Sequence, residues 1–462
     1  MTRVFQVAWD SGEVPDDWRT GVVVPIFKKG DKTECSNYRG ITLLSLPGKI
    51  YAKLLESRVR VVVEPRIADE QCGFRPGRST TDQVFTLRQV QEKAWAYNRP
   101  VFAAFVDLEK AYDRVPRDRL WECLREYGLE DELLRAIQSL YRRSTACVRV
   151  NGVKSRPFTV GVGLRQGCVL SPVLFAVYMD RIVKRSRGPE CVNIGDVEVA
   201  RLLFADDLAI LASSQADLQR ALVRFAAECE AAGMKVSTEK TEVMVLSSEP
   251  LDCALHVSGA QLRKVEEFKY LGVMFTSDGR QDREFNRRIS LASAVMSELK
   301  AVAGNAWLSS EAQLAIYNSL YKSTLTYGHE SWILTERTRS RVQAAEMRFL
   351  RRIVGVSRMD RIRNVNIREA VGIEPLLLQV ERSQLRWFGH VLRMGPDRLA
   401  KRVFQASFPP EMRRRVGRPR TTWEDQIYAL LERAGLDLDT AELLALDRGT
   451  WSRLVSLLPP RP

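Results

Sequence analysis

Residues 202 to 211 read LLFADDLAIL, and no other stretch constrains the fold as tightly, because two adjacent carboxylates interrupt an otherwise apolar run. The flanks read as buried strand, which predicts a hairpin with Asp206 and Asp207 at its tight turn. Neighbouring negative charges repel unless something positive sits between or opposite them. Aspartate also suits turns through side-chain to backbone hydrogen bonds, so the pair has a plain structural reading beside a cation-binding one.

A second acid site separates these readings. In VFAAFVDLEKAYDRV, Asp107 lies where an apolar strand gives way to a polar turn and helix, a place where a rigid sheet edge projects functional side chains. The alternative is a turn or helix N-cap aspartate. Two carboxylate sites at strand ends converge on one oxygen-lined pocket if their strands are neighbours. Such a pocket suits Mg2+, which takes few carboxylates and keeps positions for water and substrate phosphate. Eight cysteines are scattered from Cys35 to Cys253 without a CxxC pair, and His256, His329 and His390 stand alone. That pattern argues against a zinc finger and a disulfide framework, leaving oxygen as the expected metal ligand.

The chain of 462 residues is long enough for two or three domains, and 45% hydrophobic with 28% charged residues is ordinary for a globular protein. Its net charge of +14 points to a polyanionic partner, with nucleic acid the first choice and an anionic membrane surface the rival. No uncharged apolar run is long enough to cross a bilayer and no signal-peptide core opens the chain, so an intracellular location is expected, with no membrane partner.

Texture divides the chain into four regions. Residues 1–100 combine a strand, a basic turn, an amphipathic helix from Pro47 and a loop rich in Gly, Pro and Arg. Residues 101–280 alternate strand-like segments (Val101 to Val106, Ala146 to Asn151, Leu202 to Leu211, Val243 to Leu246, Tyr270 to Phe275) with helical ones, the pattern of an α+β sheet domain. Residues 281–400 are helical, and RVQAAEMRFLRRIVGV pairs an apolar face with a strip of arginines. Residues 401–462 begin with a Pro- and Arg-rich linker and end in short helices, where Trp423 and Trp451 join Trp387 and Phe388 as expected core residues.

In order and spacing, FVDLEKAYD, GLRQGCVLSP and FADD resemble the three central palm motifs of reverse transcriptases, and NYRGITLL and QCGFRPGRST resemble the fingers motifs. YRGITLLSLPGKI, EKTEVM, FKYLGV, LRWFGHVLRM and GRPRTTW are similar to non-LTR, LINE-type retrotransposon polymerases, nearest to the RTE-like group of fish genomes. The resemblance implies an α+β right-hand polymerase, with fingers (1–100), a palm with an antiparallel sheet (101–280), a helical thumb (281–400) and a helical C-terminal region. It implies an RNA-directed DNA polymerase that uses two Mg2+ ions, or Mn2+ in their place, with an RNA template, a DNA primer or target DNA, and dNTPs as partners. Nuclear action with cytoplasmic ribonucleoprotein assembly would follow.

By motif, Asp107, Asp206 and Asp207 would hold the metals, with Leu108 beside them, because nucleotidyl transfer needs one cation to activate the primer hydroxyl and another to neutralise pyrophosphate. Tyr112 would close the sugar pocket, Gln166 and Gly167 would lie along the nucleotide, and Arg39 and Ala205 would complete that site. Lys240 matches the lysine that protonates the leaving pyrophosphate. Lys28, Lys29, Arg75 and Arg78 would meet template or triphosphate, although turn lysines and arginines also serve simply as solvated charge. Leu271 and Gly272 resemble the primer-grip hairpin. VGRPR resembles the core of peptides that enter A·T-rich minor grooves, and also reads as plain linker. From its opening, MTRVFQVAWDSGEVPDDW, the chain is expected to lack the endonuclease that precedes such polymerases, and it shows no Cys/His knuckle or ribonuclease H cluster. The competing reading is a co-opted nucleic-acid-binding remnant without turnover.

Overall fold

The computed structural model describes residues 1–299 and 308–461. Its centre is a five-stranded sheet in the order Arg263–Lys264, Glu242–Leu246, Val101–Val106, Asp207–Ala212, Arg201–Phe204. The last four strands pair antiparallel, and Arg263–Lys264 adds parallel to Glu242–Leu246. Val101–Val106 lies in the middle, and all six of its residues are buried. Its alternate residues serve opposite faces, as strand geometry demands. Phe102, Ala104 and Val106 pack with Leu208 and Ile210 against Leu174, Tyr178 and Phe225 of the helices Ser171–Arg185 and Gln215–Ala231. Val101, Ala103 and Phe105 pack against Val84, Leu87 and Val90 of the helix Thr80–Ala96. A strand covered on both faces reads as a continuous apolar run, which explains VFAAFV.

Thr145–Val150, expected in this sheet, instead pairs parallel with Thr20–Phe27 in a second sheet that also holds Tyr38–Leu43. Tyr270 to Phe275, expected as one strand, is a hairpin of Glu267–Tyr270 and Val273–Thr276. Leu271 and Gly272 both take positive φ at its turn, a geometry that matches strand twist in two-residue hairpins. Beyond it the chain is helical. Phe285, Trp332, Phe349 and Leu350 form one core, and Trp387, Phe388, Trp423 and Trp451 form another that also takes in Phe85 of Thr80–Ala96. The final helices are thereby docked on the buried helix that backs the sheet.

The Pro- and Arg-rich stretch before them is laid down rather than free. The Arg415 N–H donates to the Ala96 carbonyl at 2.9 Å, and the Arg420 guanidinium lies 3.9 Å over the Trp95 ring. Several arginines of the helical region are likewise committed inside the protein: Arg339 to Glu381, Arg351 to Asn364 and Arg368 to Glu346.

Candidate active site

The hairpin register builds the site. Leu208 pairs with Val106, so Asp207 falls opposite Asp107 at the same end of the sheet. Phe204 pairs with Asp207, leaving Ala205 and Asp206 as the two turn residues, and Ala205 takes φ +62°, a left-handed conformation that glycine usually supplies. Burial is the first cause that raises the Asp206 carboxyl above the ordinary range, with the Asp107 charge adding and Arg39 opposing. Asp207 is pushed to about 6, by burial first and then by Asp206 and Asp107, with Lys269 opposing. Asp107 Oδ2 is shielded from solvent and has no hydrogen-bond partner; Lys240 Nζ, 3.4 Å away, offers only an ion pair. The Asp107 backbone is held, its N–H donating to Thr241 Oγ1 at 3.2 Å and its carbonyl accepting from the Ser237 N–H at 2.8 Å. Leu108 is buried and bridges to Val236 beside it.

An orphaned carboxylate oxygen and two carboxyls that hold their protons too tightly are the signature of missing positive charge, and they fit divalent cations. Among the described residues no three His, Cys, Asp or Glu side chains close into a ready-made cage. Mg2+ does not require one, since it completes its shell with water and substrate phosphate.

The expected nucleotide-binding residues converge beside the acids. Tyr112 stacks on Phe175 at 4.2 Å between ring centroids and meets Phe74 edge-on at 6.4 Å. Burial, with the Asp206 charge second, raises its phenol well above the usual value and so keeps it neutral. Gln166 Nε2 donates to Asp113 Oδ1 at 3.2 Å, and Gln166 Oε1 accepts from Arg39 Nε at 3.5 Å. The Thr42 N–H donates to the Gln166 carbonyl at 2.8 Å. Gly167 has φ +111°, and a Cβ there would lie 2.5 Å from the Thr42 carbonyl oxygen, so glycine is required. Through Gln166 these contacts tie the second sheet to the short helix Ala111–Arg114 that follows Asp107.

The hairpin at Leu271 and Gly272 flanks the same sheet, with Phe268 stacked on Phe105 at 3.9 Å. Its turn carbonyls are occupied, Leu271 accepting from Tyr327 Oη and Gly272 from Arg287 Nη1, both at 3.0 Å, and Gly272 also from Arg288. Lys28 and Lys29 are exposed in the turn after Thr20–Phe27. Arg75 and Arg78 are not brought to the acids. Arg75 donates to Glu64 Oε1 at 2.7 Å and to the Ala68 and Gln71 carbonyls, while Arg78 pairs with Asp69. Both hold the shape of their own loop. Sequence reasoning assigned no role to Gln71, Phe74, Asp113 or Phe175; Gln71, which is buried, and Phe74, which is exposed, both stand inside the quoted QCGF.

Three carboxylates gathered at a sheet end, with Tyr112, Gln166 and Gly167 nearby, are an arrangement that suits divalent-metal-dependent nucleotidyl transfer. Residues 26–275, more than half of the chain, match the family model described as reverse transcriptase (RNA-dependent DNA polymerase), and the chain belongs to that family. Its relatives come from non-LTR retrotransposons. It is 27% identical over 330 residues to the Transposon TX1 uncharacterized 149 kDa protein of Xenopus laevis, covering 70% of this chain and 25% of that one. It is 26% identical over 413 residues to the probable RNA-directed DNA polymerase from transposon BS of Drosophila melanogaster, covering 85% and 44%. A solved apo telomerase from Candida tropicalis matches with TM-score 0.44 at 14% identity, over 84% of this chain and 64% of that one. The chain thus spans about a quarter to under half of the length of these two curated relatives. Among the described residues no helix is long and apolar enough to cross a membrane.

Proposed function

We propose that this chain is the RNA-directed DNA polymerase of a non-LTR retrotransposon of the RTE-like group, copying element RNA from the 3'-hydroxyl of a DNA primer. The observation that carries this reading is the placement of Asp107 and Asp207 opposite each other across one strand pair, with Asp206 at the turn and the Asp206 and Asp207 carboxyls raised in pKa. Asp107, Asp206 and Asp207 would hold divalent cations, Mg2+ or Mn2+, which when bound would supply a lowered pKa for the primer hydroxyl and charge to neutralise the leaving pyrophosphate. The new bond joins the primer oxygen to the α-phosphorus of a dNTP, and the bond from that phosphorus to the β-phosphate oxygen breaks. Tyr112 walls the sugar and keeps out a ribose 2'-hydroxyl. Gln166, backed by Gly167, lies along the nucleotide, Arg39 takes triphosphate charge, and Lys240 delivers a proton to pyrophosphate. Lys28 and Lys29 supply backbone charge, and the turn at Leu271 and Gly272 holds the primer.

In this reading residues 1–100 act as fingers, 101–280 as palm and 281–400 as thumb, with 401–462 packed behind the palm, and the work is done in a nuclear ribonucleoprotein. Primer extension on poly(rA)/oligo(dT) with dTTP and Mg2+ tests it, and extension is expected. A chain that binds the duplex with a steep salt dependence yet adds no nucleotide refutes it in favour of a binding remnant.

A further inference from the structure

The turn that carries Asp206 is held from outside the sheet. Residues 70–73 run alongside the edge strand Arg201–Phe204, the Leu203 N–H donating to the Glu70 carbonyl at 3.0 Å and the Cys72 N–H to the Leu203 carbonyl at 2.8 Å. Between them Gln71, fully buried, turns its amide onto the residue just before Asp206. Gln71 Oε1 accepts from the Ala205 N–H at 3.0 Å and from the Gly73 N–H at 2.7 Å, while Gln71 Nε2 donates to the Ala205 carbonyl at 3.4 Å. Gly73 presses so closely that a Cβ on it would lie 2.1 Å from the Ala205 nitrogen. Arg75 fastens this segment from behind through the Gln71 carbonyl at 3.0 Å and Glu64 at 2.7 Å.

Ala205 needs such a clamp, because a left-handed φ is unfavourable for a residue with a Cβ and adjacent carboxylates drive the turn apart. A carboxamide suits the position: it meets both backbone groups of Ala205 at once and adds no charge beside the three acids. Leucine would leave both backbone groups unpaired, and glutamate would add a fourth carboxylate. Resting on the polymerase reading, we infer that Gln71 is a positioning residue that presents Asp206 and Asp207 to the divalent cations, with Gly73 permitting its approach.

The test compares wild type with Gln71→Leu and Gly73→Ala in the full chain on a template–primer duplex. Three quantities are read: duplex affinity, Mn2+ binding followed by paramagnetic resonance of the free ion, and single-turnover extension. Loss of a partner that orients metal ligands is expected to weaken Mn2+ binding and slow extension by about 10- to 100-fold, with duplex affinity unchanged. Wild-type Mn2+ affinity and rate in folded Gln71→Leu overturn the inference; should that variant fail to fold, the same result in Gly73→Ala does so. A wild-type chain that extends no primer, yet binds Mn2+ in a Gln71-dependent way, defeats the polymerase reading and keeps the positioning role.

Discussion

Replacing Asp207 by asparagine should stabilise the metal-free protein at alkaline pH while removing its chemistry. Asp207 is raised from 3.8 to about 6 by burial and by Asp206 and Asp107, so the folded state binds its proton more tightly than the unfolded chain does. Stability is therefore fullest below the unfolded value, falls as pH rises toward 6 and then stays level, the opposite of an ion-paired aspartate. At full burial the rise corresponds to about 3 kcal/mol. Asp207 keeps contact with solvent, which screens the repulsion and leaves about 1–2 kcal/mol. Thermal unfolding with EDTA at pH 8 should then show Asp207→Asn melting a few degrees above wild type, and the gap should narrow as the pH falls below about 6 and close toward 3.8. Mn2+ should raise the wild-type melting temperature and leave the variant behind. A variant equal to or below wild type at pH 8 would refute the claim that the carboxylates strain the apo fold.

Other substitutions probe the supports of the site. Gly167→Ala puts a Cβ 2.5 Å from the Thr42 carbonyl oxygen, a strain of about 1–3 kcal/mol that should raise KM for dNTP in single-nucleotide kinetics. Phe268→Ala removes the ring stacked on Phe105; because Phe268 is half-buried, a loss of about 2 kcal/mol is expected in urea unfolding, with shorter extension products. Glu346→Gln breaks the buried pair with Arg368 and weakens acceptance of the Leu376 N–H, a loss of about 3 kcal/mol by the same assay with extension per folded molecule retained.

The acid hairpin was legible because two aspartates break a continuous apolar run, and a tight turn at the break is what lets both flanks stay buried as paired strands. Asp107 was legible for the same reason, at the end of VFAAFV. Sheet membership was not: Thr145–Val150 has the same local texture as the central strands, and only its parallel pairing with Thr20–Phe27, 125 residues away at Thr20 and Thr145, assigns it to the second sheet. Arg75 and Arg78 illustrate another limit. An arginine in a Gly- and Pro-rich loop reads the same whether its guanidinium faces a phosphate or, as Arg75 does, the loop's own carbonyls. The Pro- and Arg-rich segment near Arg415 read as linker because its partners, Trp95 and the Ala96 carbonyl, lie more than 300 residues earlier. Gln71 escaped notice because nothing in a sequence reveals that a buried amide faces a turn built from residues 205 and 206.

In the proposed reaction Asp107, Asp206 and Asp207 together carry nucleotidyl transfer at one end of the sheet. The most direct measurement is single-turnover primer extension on an RNA template with Mg2+, comparing wild type with Asp107→Asn, Asp206→Asn and Asp207→Asn at matched duplex occupancy. Wild type is expected to extend the primer and each variant to lose at least about 100-fold, with duplex affinity retained. Any of the three variants extending primer at the wild-type rate would contradict this.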